Sequence, residues 1–90
     1  MSRLQKSTAN DFYKMAVDEL VRARMARSWS QYDLAGKWNR NQSVIAKIET
    51  LERRLDLIEF IDLCVILEIN PVSTINRLHD LIKVNRSDRS

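Results

Sequence analysis

The chain has little of what turns and strands are made from. Its 90 residues include one glycine and one proline, which leaves little room for hairpin turns. No stretch alternates apolar and polar residues in a sustained way, so strand signals are missing too. A single cysteine, Cys64, excludes an intramolecular disulfide and a cysteine-based zinc site. It sits within an apolar helical face and reads as a small buried hydrophobe rather than a reactive thiol. The single histidine, His79, has no cysteine or second histidine beside it. It reads as a solvated surface residue, and no metal or cofactor is expected. The longest apolar run ends at Leu67, before Glu68, far short of the ~20 residues a spanning helix needs. The N-terminus lacks the apolar segment of a secretory signal, and a cytoplasmic location is the expectation. No nucleophile–base set, paired catalytic carboxylates or phosphate-cradling glycine loop is visible, so an enzyme is not expected.

What is present is enough apolar residue, 44%, for one core, and 30% charge. Net charge is only +3, but its distribution is uneven. Between Arg22 and Arg54 stand eight basic residues against Asp33, Glu49 and Glu52. The next segment, Leu55 to Asn70, holds Asp56, Glu59, Asp62 and Glu68 with no basic residue. That segregation favours an anionic partner on one side, against the alternative of ordinary solvated charge.

The periodicity predicts an all-α chain. A first helix runs roughly from Asp11 to Arg27, with Phe12, Ala16, Leu20 and Ala23 recurring at helical spacing and Asn10 as N-cap. Ser30 caps a second helix, with Asp33 as the capping-box acid and Leu34 and Ala35 facing inward. Asn39 suits a left-handed turn and Asn41 the next N-cap. A third helix covers Gln42 to about Leu51. Asp56 and Glu59 open a fourth, carrying Phe60, Ile61, Cys64 and Leu67. Pro71 fits the first position of a fifth, which runs to about Lys83 through Val72, Ile75, Leu78 and Ile82. Residues 1–9 and 85–90 are polar and read as flexible tails around a domain spanning 10–84.

The third helix divides its labour. At ~100° per residue, Ile45, Ile48 and Glu52 share one sector, with Val44 and Leu51 at its edge. Gln42, Ser43, Ala46, Lys47 and Thr50 occupy the opposite arc of about 140°. A plain solvent face would carry more long Glu and Lys. Short side chains allow close approach to a surface, Gln can pair with adenine, Ser with several base edges, and Lys with guanine or phosphate. The strip suits the major groove, and two short helices around a short turn make a helix-turn-helix unit.

Residues from about Leu20 to Pro71 resemble the phage-repressor and Cro-like helix-turn-helix family, often called the XRE family. The resemblance rests on "LVRAR" in helix 1, "SQYDLA" in helix 2, "QSVIAKIE" in helix 3 and "ERRLDLIEF" opening helix 4, in that order. It implies a five-helix repressor-like bundle with Gln42 to Leu51 as recognition helix. Gln42, Ser43 and Lys47 match base-contacting positions of the family, with Ala46 between them at the groove surface. Gln31 matches a glutamine that binds a phosphate and buttresses the first recognition-helix side chain. Arg24 and Glu49 match an ion pair tying helix 1 to helix 3. Arg53 and Arg54 fall where family members meet the DNA backbone, and Arg40 in the turn is a further backbone candidate. Two positions depart from the pattern, because Asn39 and Leu51 stand where glycine is common. Asn tolerates the left-handed region. Leu there would be strained, so the expectation is a longer third helix or a different ending. Trp29 and Trp38 occupy positions that are apolar in the family and read as core, and Tyr32 reads as half-exposed near the backbone.

The resemblance implies a sequence-specific DNA-binding transcriptional regulator, expected to act as a repressor on a palindromic operator as a homodimer. The alternative is an antitoxin that binds a toxin and autoregulates its own promoter. Double-stranded DNA, a second copy of the chain and a protein such as a toxin are the partners considered; a membrane is not.

Overall fold

Thr8 caps the first of five helices with a capping box. They are α1 (Ala9–Ala26), α2 (Gln31–Trp38), α3 (Gln42–Glu49), α4 (Leu57–Leu67) and α5 (Pro71–Ser87). The computed structural model describes residues 8–87, among which there is no strand. The fold is all-α, as the sequence pattern predicts. Residues 1–7 and 88–90, read as tail, lie outside the described residues.

Local chemistry sets where the helices begin. The Thr8 hydroxyl accepts from the Asp11 N–H, and the Asp11 carboxylate accepts from the Thr8 N–H at 2.8 Å. Asn10, expected as the cap, therefore sits inside the first turn of α1, and Ala9, read as tail, belongs to that helix. Ser30 with Asp33 and Asp56 with Glu59 form the same reciprocal box at α2 and α4. Each such cap is worth about 1 kcal/mol. The Ser30 N–H and hydroxyl together hold the Asp33 carboxyl below its ordinary range. At α3 the expected cap, Asn41, has the right position but makes no side-chain capping bond. Pro71 is the first residue of α5, where its missing N–H costs nothing. That helix continues past Lys83 to Ser87, so residues 85–87 are helical rather than tail.

Local chemistry also sets where helices end. Ser28, Asn39, Leu51 and Glu68 all have left-handed backbone, with φ of 58°, 61°, 68° and 58°. Each closes its helix with the same pair of bonds. At α3, the Leu51 N–H reaches the Ile48 carbonyl at 3.0 Å and the Glu52 N–H the Lys47 carbonyl at 2.8 Å. This is the corner in which glycine is usual, because a Cβ crowds the following carbonyl. The expectation that Leu51 would lengthen α3 or change its ending is corrected. Satisfying two orphan carbonyls outweighs roughly 1–2 kcal/mol of steric cost. Leu51→Gly should therefore hold or raise stability, by up to about 1 kcal/mol in urea unfolding. A loss of that size would mean that the Leu51 side chain contributes more packing than its exposure indicates.

The core forms where the inner faces of α1 to α4 meet. Leu20, Leu34, Ala35, Ile45, Ile48, Leu63, Cys64 and Leu67 are buried in one cluster. Burying each large aliphatic chain contributes about 1.5–3 kcal/mol. Val17, absent from the expected inward set, is also buried, while Phe12 and Ala23 are only half-buried. Burial pushes the Cys64 thiol up to about 11, so at neutral pH it is a protonated hydrophobe. Trp38 lies in the core and donates its indole N–H to Asp62 at 3.0 Å. Trp29 packs on the core edge, flanked by Lys37 and Arg27. Tyr32 is more exposed than expected.

α5 is held differently. Thr74 is its one buried residue, and its hydroxyl donates to Glu19 on α1, which also pairs with Arg77. Val72, Ile75 and Ile82 stay exposed, and Leu78 is half-buried.

Candidate nucleic-acid interface

α3 places its side chains as the 3.6-residue period dictates. Ile45 and Ile48 are buried, whereas Ser43, Lys47 and Thr50 are exposed, with Gln42 and Ala46 at the margin. The four residues expected to touch bases thus lie together on one outward arc. Thr50 belongs to the same arc, but its hydroxyl donates to Glu52 at 2.7 Å. Lys47 has no acidic partner among the described residues.

Gln42 is held by a chain of polar groups running across three helices. Its Nε2 donates to Gln31 Oε1 at 2.6 Å. Gln31 Nε2 donates to Glu49 Oε1 at 2.9 Å. Arg24 donates to the same carboxylate twice, from Nε at 2.7 Å and Nη2 at 3.0 Å. The remaining Arg24 nitrogen, Nη1, donates to the Trp29 carbonyl at 2.7 Å and pins the α1–α2 corner. Arg24 and Glu49 have side chains only 12% and 13% exposed. A bidentate pair in that setting gains strength from low dielectric and geometric fit. The pair expected from the resemblance is thus formed, and so is the Gln31 buttress. The Gln31–Glu49 link between them lies outside the sequence-based expectations. No local pattern signals it, because it joins residues 18 apart.

The backbone candidates are less alike than their sequence positions imply. Arg53 makes a two-pronged pair with Glu59, at 3.0 and 3.3 Å. That hydrogen bond, ahead of the Asp56 N–H, holds the Glu59 carboxyl below its usual range and raises the Arg53 guanidinium. Because the folded pKa of Glu59 is depressed, this lock holds above the ordinary glutamate range and is lost as pH falls through the lowered value. Arg40 lies 3.6 Å from the same carboxylate and stacks over Trp38 at 4.1 Å. Among the described residues Arg54 pairs with no carboxylate; it stacks on Tyr13 at 4.3 Å and donates to Asn10.

One residue supporting this region, Tyr13, has no counterpart in the sequence-based expectations. The Tyr13 hydroxyl accepts from the Leu55 N–H at 2.9 Å and donates to the Arg53 carbonyl at 3.4 Å. It ties the segment after α3 to α1, over a sequence gap that no periodicity spans. The acidic run of 55–70 also reads differently in three dimensions. Asp56 caps α4, Glu59 holds two arginines, Asp62 holds Trp38 and Glu68 reaches Arg27 at 3.4 Å. Asp56, Glu59 and Asp62 thus tie elements of the fold together, while Glu68 stays largely in solvent, 76% exposed, where such a pair contributes little.

No family model matches the chain, and no curated protein does. Among solved structures, an XRE-family like protein from Pseudomonas syringae pv. tomato str. DC3000 superposes with a TM-score of 0.73 at 38% sequence identity. The match covers 80% of this chain and 88% of that one. A likeness of that extent carries more than a common fold. With its five helices, its exposed polar arc and this kinship, the chain belongs to the XRE family of helix-turn-helix proteins, which implies DNA binding and transcriptional regulation.

Proposed function

We propose that the protein is a repressor that binds a palindromic operator as a homodimer. Gln42, Ser43, Ala46 and Lys47 read bases, while Gln31, Arg40, Arg53 and Arg54 contact the sugar–phosphate backbone. The observation that carries this reading is the outward arc of α3, small and hydrogen-bonding, set opposite the buried Ile45 and Ile48. Such an arc can enter the major groove without steric hindrance and still discriminate base edges. Affinity then comes largely from phosphate neutralisation, and discrimination from the arc.

A random-pool binding selection tests the proposal. It should return two related half-sites about 34 Å apart, one turn of duplex. A pool with no common motif would overturn sequence-specific reading.

Gln42→Ala should cost about 1–3 kcal/mol on the selected site and relax preference at one base pair. Equal weakening on unrelated DNA would remove Gln42 from the reading set. Arg54→Ala should weaken every sequence alike and lower the slope of log affinity against log salt by about 1. An unchanged slope would take Arg54 out of the phosphate set.

Dimerisation is assigned to α5, where Val72, Ile75 and Ile82 remain exposed. Sedimentation at micromolar concentration should show a dimer, and Ile75→Asp a monomer. A wild-type monomer would refute the assignment. One observation favours the antitoxin reading instead. Leu57, Ile58 and Val65 on α4 are 62%, 71% and 67% exposed, a second apolar face open to a protein partner. A small toxin copurifying with the chain, and released by Ile58→Asp, would establish it.

A further inference from the structure

We infer that Glu49, acting through Gln31, fixes which way round the Gln42 amide faces the DNA and so makes adenine the base that Gln42 selects. This rests on the base-reading role proposed for Gln42. Glu49 is a positioning residue, since it touches no base itself.

The argument follows from donor and acceptor counts. An ionised carboxylate only accepts. Glu49 Oε1 lies 2.9 Å from the Gln31 amide, so the atom facing it must be the Gln31 nitrogen. The planar amide of Gln31 then turns its oxygen the other way, toward Gln42, and that oxygen also only accepts. The Gln42 atom 2.6 Å away must therefore be its nitrogen. One charge thus sets the polarity of two amides in series. Arg24 locks the source, because its two bonds to the carboxylate leave Glu49 no freedom to turn.

The outcome is specific. With one amide hydrogen given to Gln31, Gln42 presents outward its oxygen and its other N–H. Among the described residues nothing donates to that oxygen. An acceptor beside a donor matches the N6 donor and N7 acceptor of adenine in the major groove. The reversed amide would turn its oxygen inward and present donors alone, which match guanine O6 and N7 or thymine O4. A glutamine free to rotate could serve both. This one is wired.

The test is a base-by-base binding profile of the full chain with three variants: Glu49→Gln, the double variant Gln31→Glu with Glu49→Gln, and Gln42→Ala. Glu49→Gln lets position 49 donate as well as accept, so the polarity is released. Adenine preference at one base pair should fall about tenfold, with guanine or thymine gaining and the other base pairs unchanged. The double variant moves the carboxylate one link along the chain, where it still forces the Gln42 nitrogen inward. It should restore adenine preference even if overall affinity is lower.

Retained adenine preference in Glu49→Gln, with Gln42→Ala losing it, overturns the relay and leaves base reading by Gln42 intact. If Gln42→Ala also changes no preference, base reading by Gln42 fails with it. A uniform loss of affinity in Glu49→Gln, with preferences unaltered, marks a merely structural role and overturns the inference. Should Glu49→Gln not fold, Gln31→Met leaves the Arg24–Glu49 pair in place and cuts the same relay. It must lose adenine preference, or the inference fails.

Discussion

Ile45→Ala should lower unfolding free energy by about 2–5 kcal/mol, with the upper half of that range expected. The side chain is 1% exposed and lies within the cluster formed by Leu20, Leu34 and Leu63. Removing it deletes three carbons from the core and leaves a cavity that helices from three directions cannot close without losing contacts elsewhere. Against a total stability of order 5–15 kcal/mol, that is a large share. The effect on DNA binding should exceed what the unfolded fraction explains, because Ile45 lies directly behind the polar arc and keeps α3 from rolling. Urea unfolding measures the first effect, and titration of the variant well below its melting temperature the second. A stability loss under about 1 kcal/mol would mean that α3 is not anchored through its isoleucines.

The second large effect concerns the ion pair. Glu49→Ala should destabilise the fold by about 3–5 kcal/mol, because Arg24 is left as a charge with most of its surface out of water. The loss is asymmetric by nature. Replacing both partners with apolar chains of similar volume, Arg24→Met with Glu49→Leu, should bring stability back to within about 1–2 kcal/mol of the parent. Discrimination between operators should not return with it, since Gln31 then has no carboxylate to orient it. Stability and reading would separate in one pair of variants. If the double replacement recovers both, the pair is only a packing element. If the single replacement costs nothing, solvent must reach the pair far more freely than its exposure indicates.

Much of the fold was legible because it is written locally. Ser30 with Asp33, Asp56 with Glu59, Asn39 in a left-handed turn and Pro71 at a first helical position each depend on neighbours within three or four residues. The inward faces follow from a fixed period, which is why Leu20, Leu34, Ile45 and Leu67 were identifiable as core. Thr8 had an equally local signal, Asp11 three residues on, but Asn10 lay nearer the apolar pattern and masked it. Leu51 failed for another reason. The steric penalty at Leu51 is visible in the residue type, whereas the carbonyls of Ile48 and Lys47 that the left-handed corner satisfies are visible only in the folded chain.

The candidate site was legible by position, not by connection. The arc on α3 follows from geometry alone, and kinship assigned roles to Gln31 and to Arg24 with Glu49. Nothing local in the chain connects Tyr13 on α1 to Arg53 and Leu55, or shows Glu59 occupying two of the three arginines read as backbone contacts. Those links span up to 42 residues, and only packing brings them together.

The helix ends have a consequence for how this chain can change. Ser28, Leu51 and Glu68 turn corners that glycine would turn more cheaply, by on the order of 1 kcal/mol each. None of the three is required for the turn itself, so these corners form an untapped margin. A lineage that converted them to glycine could tolerate costlier exchanges on the groove-facing side of α3, and thereby drift to new operators without first losing its fold.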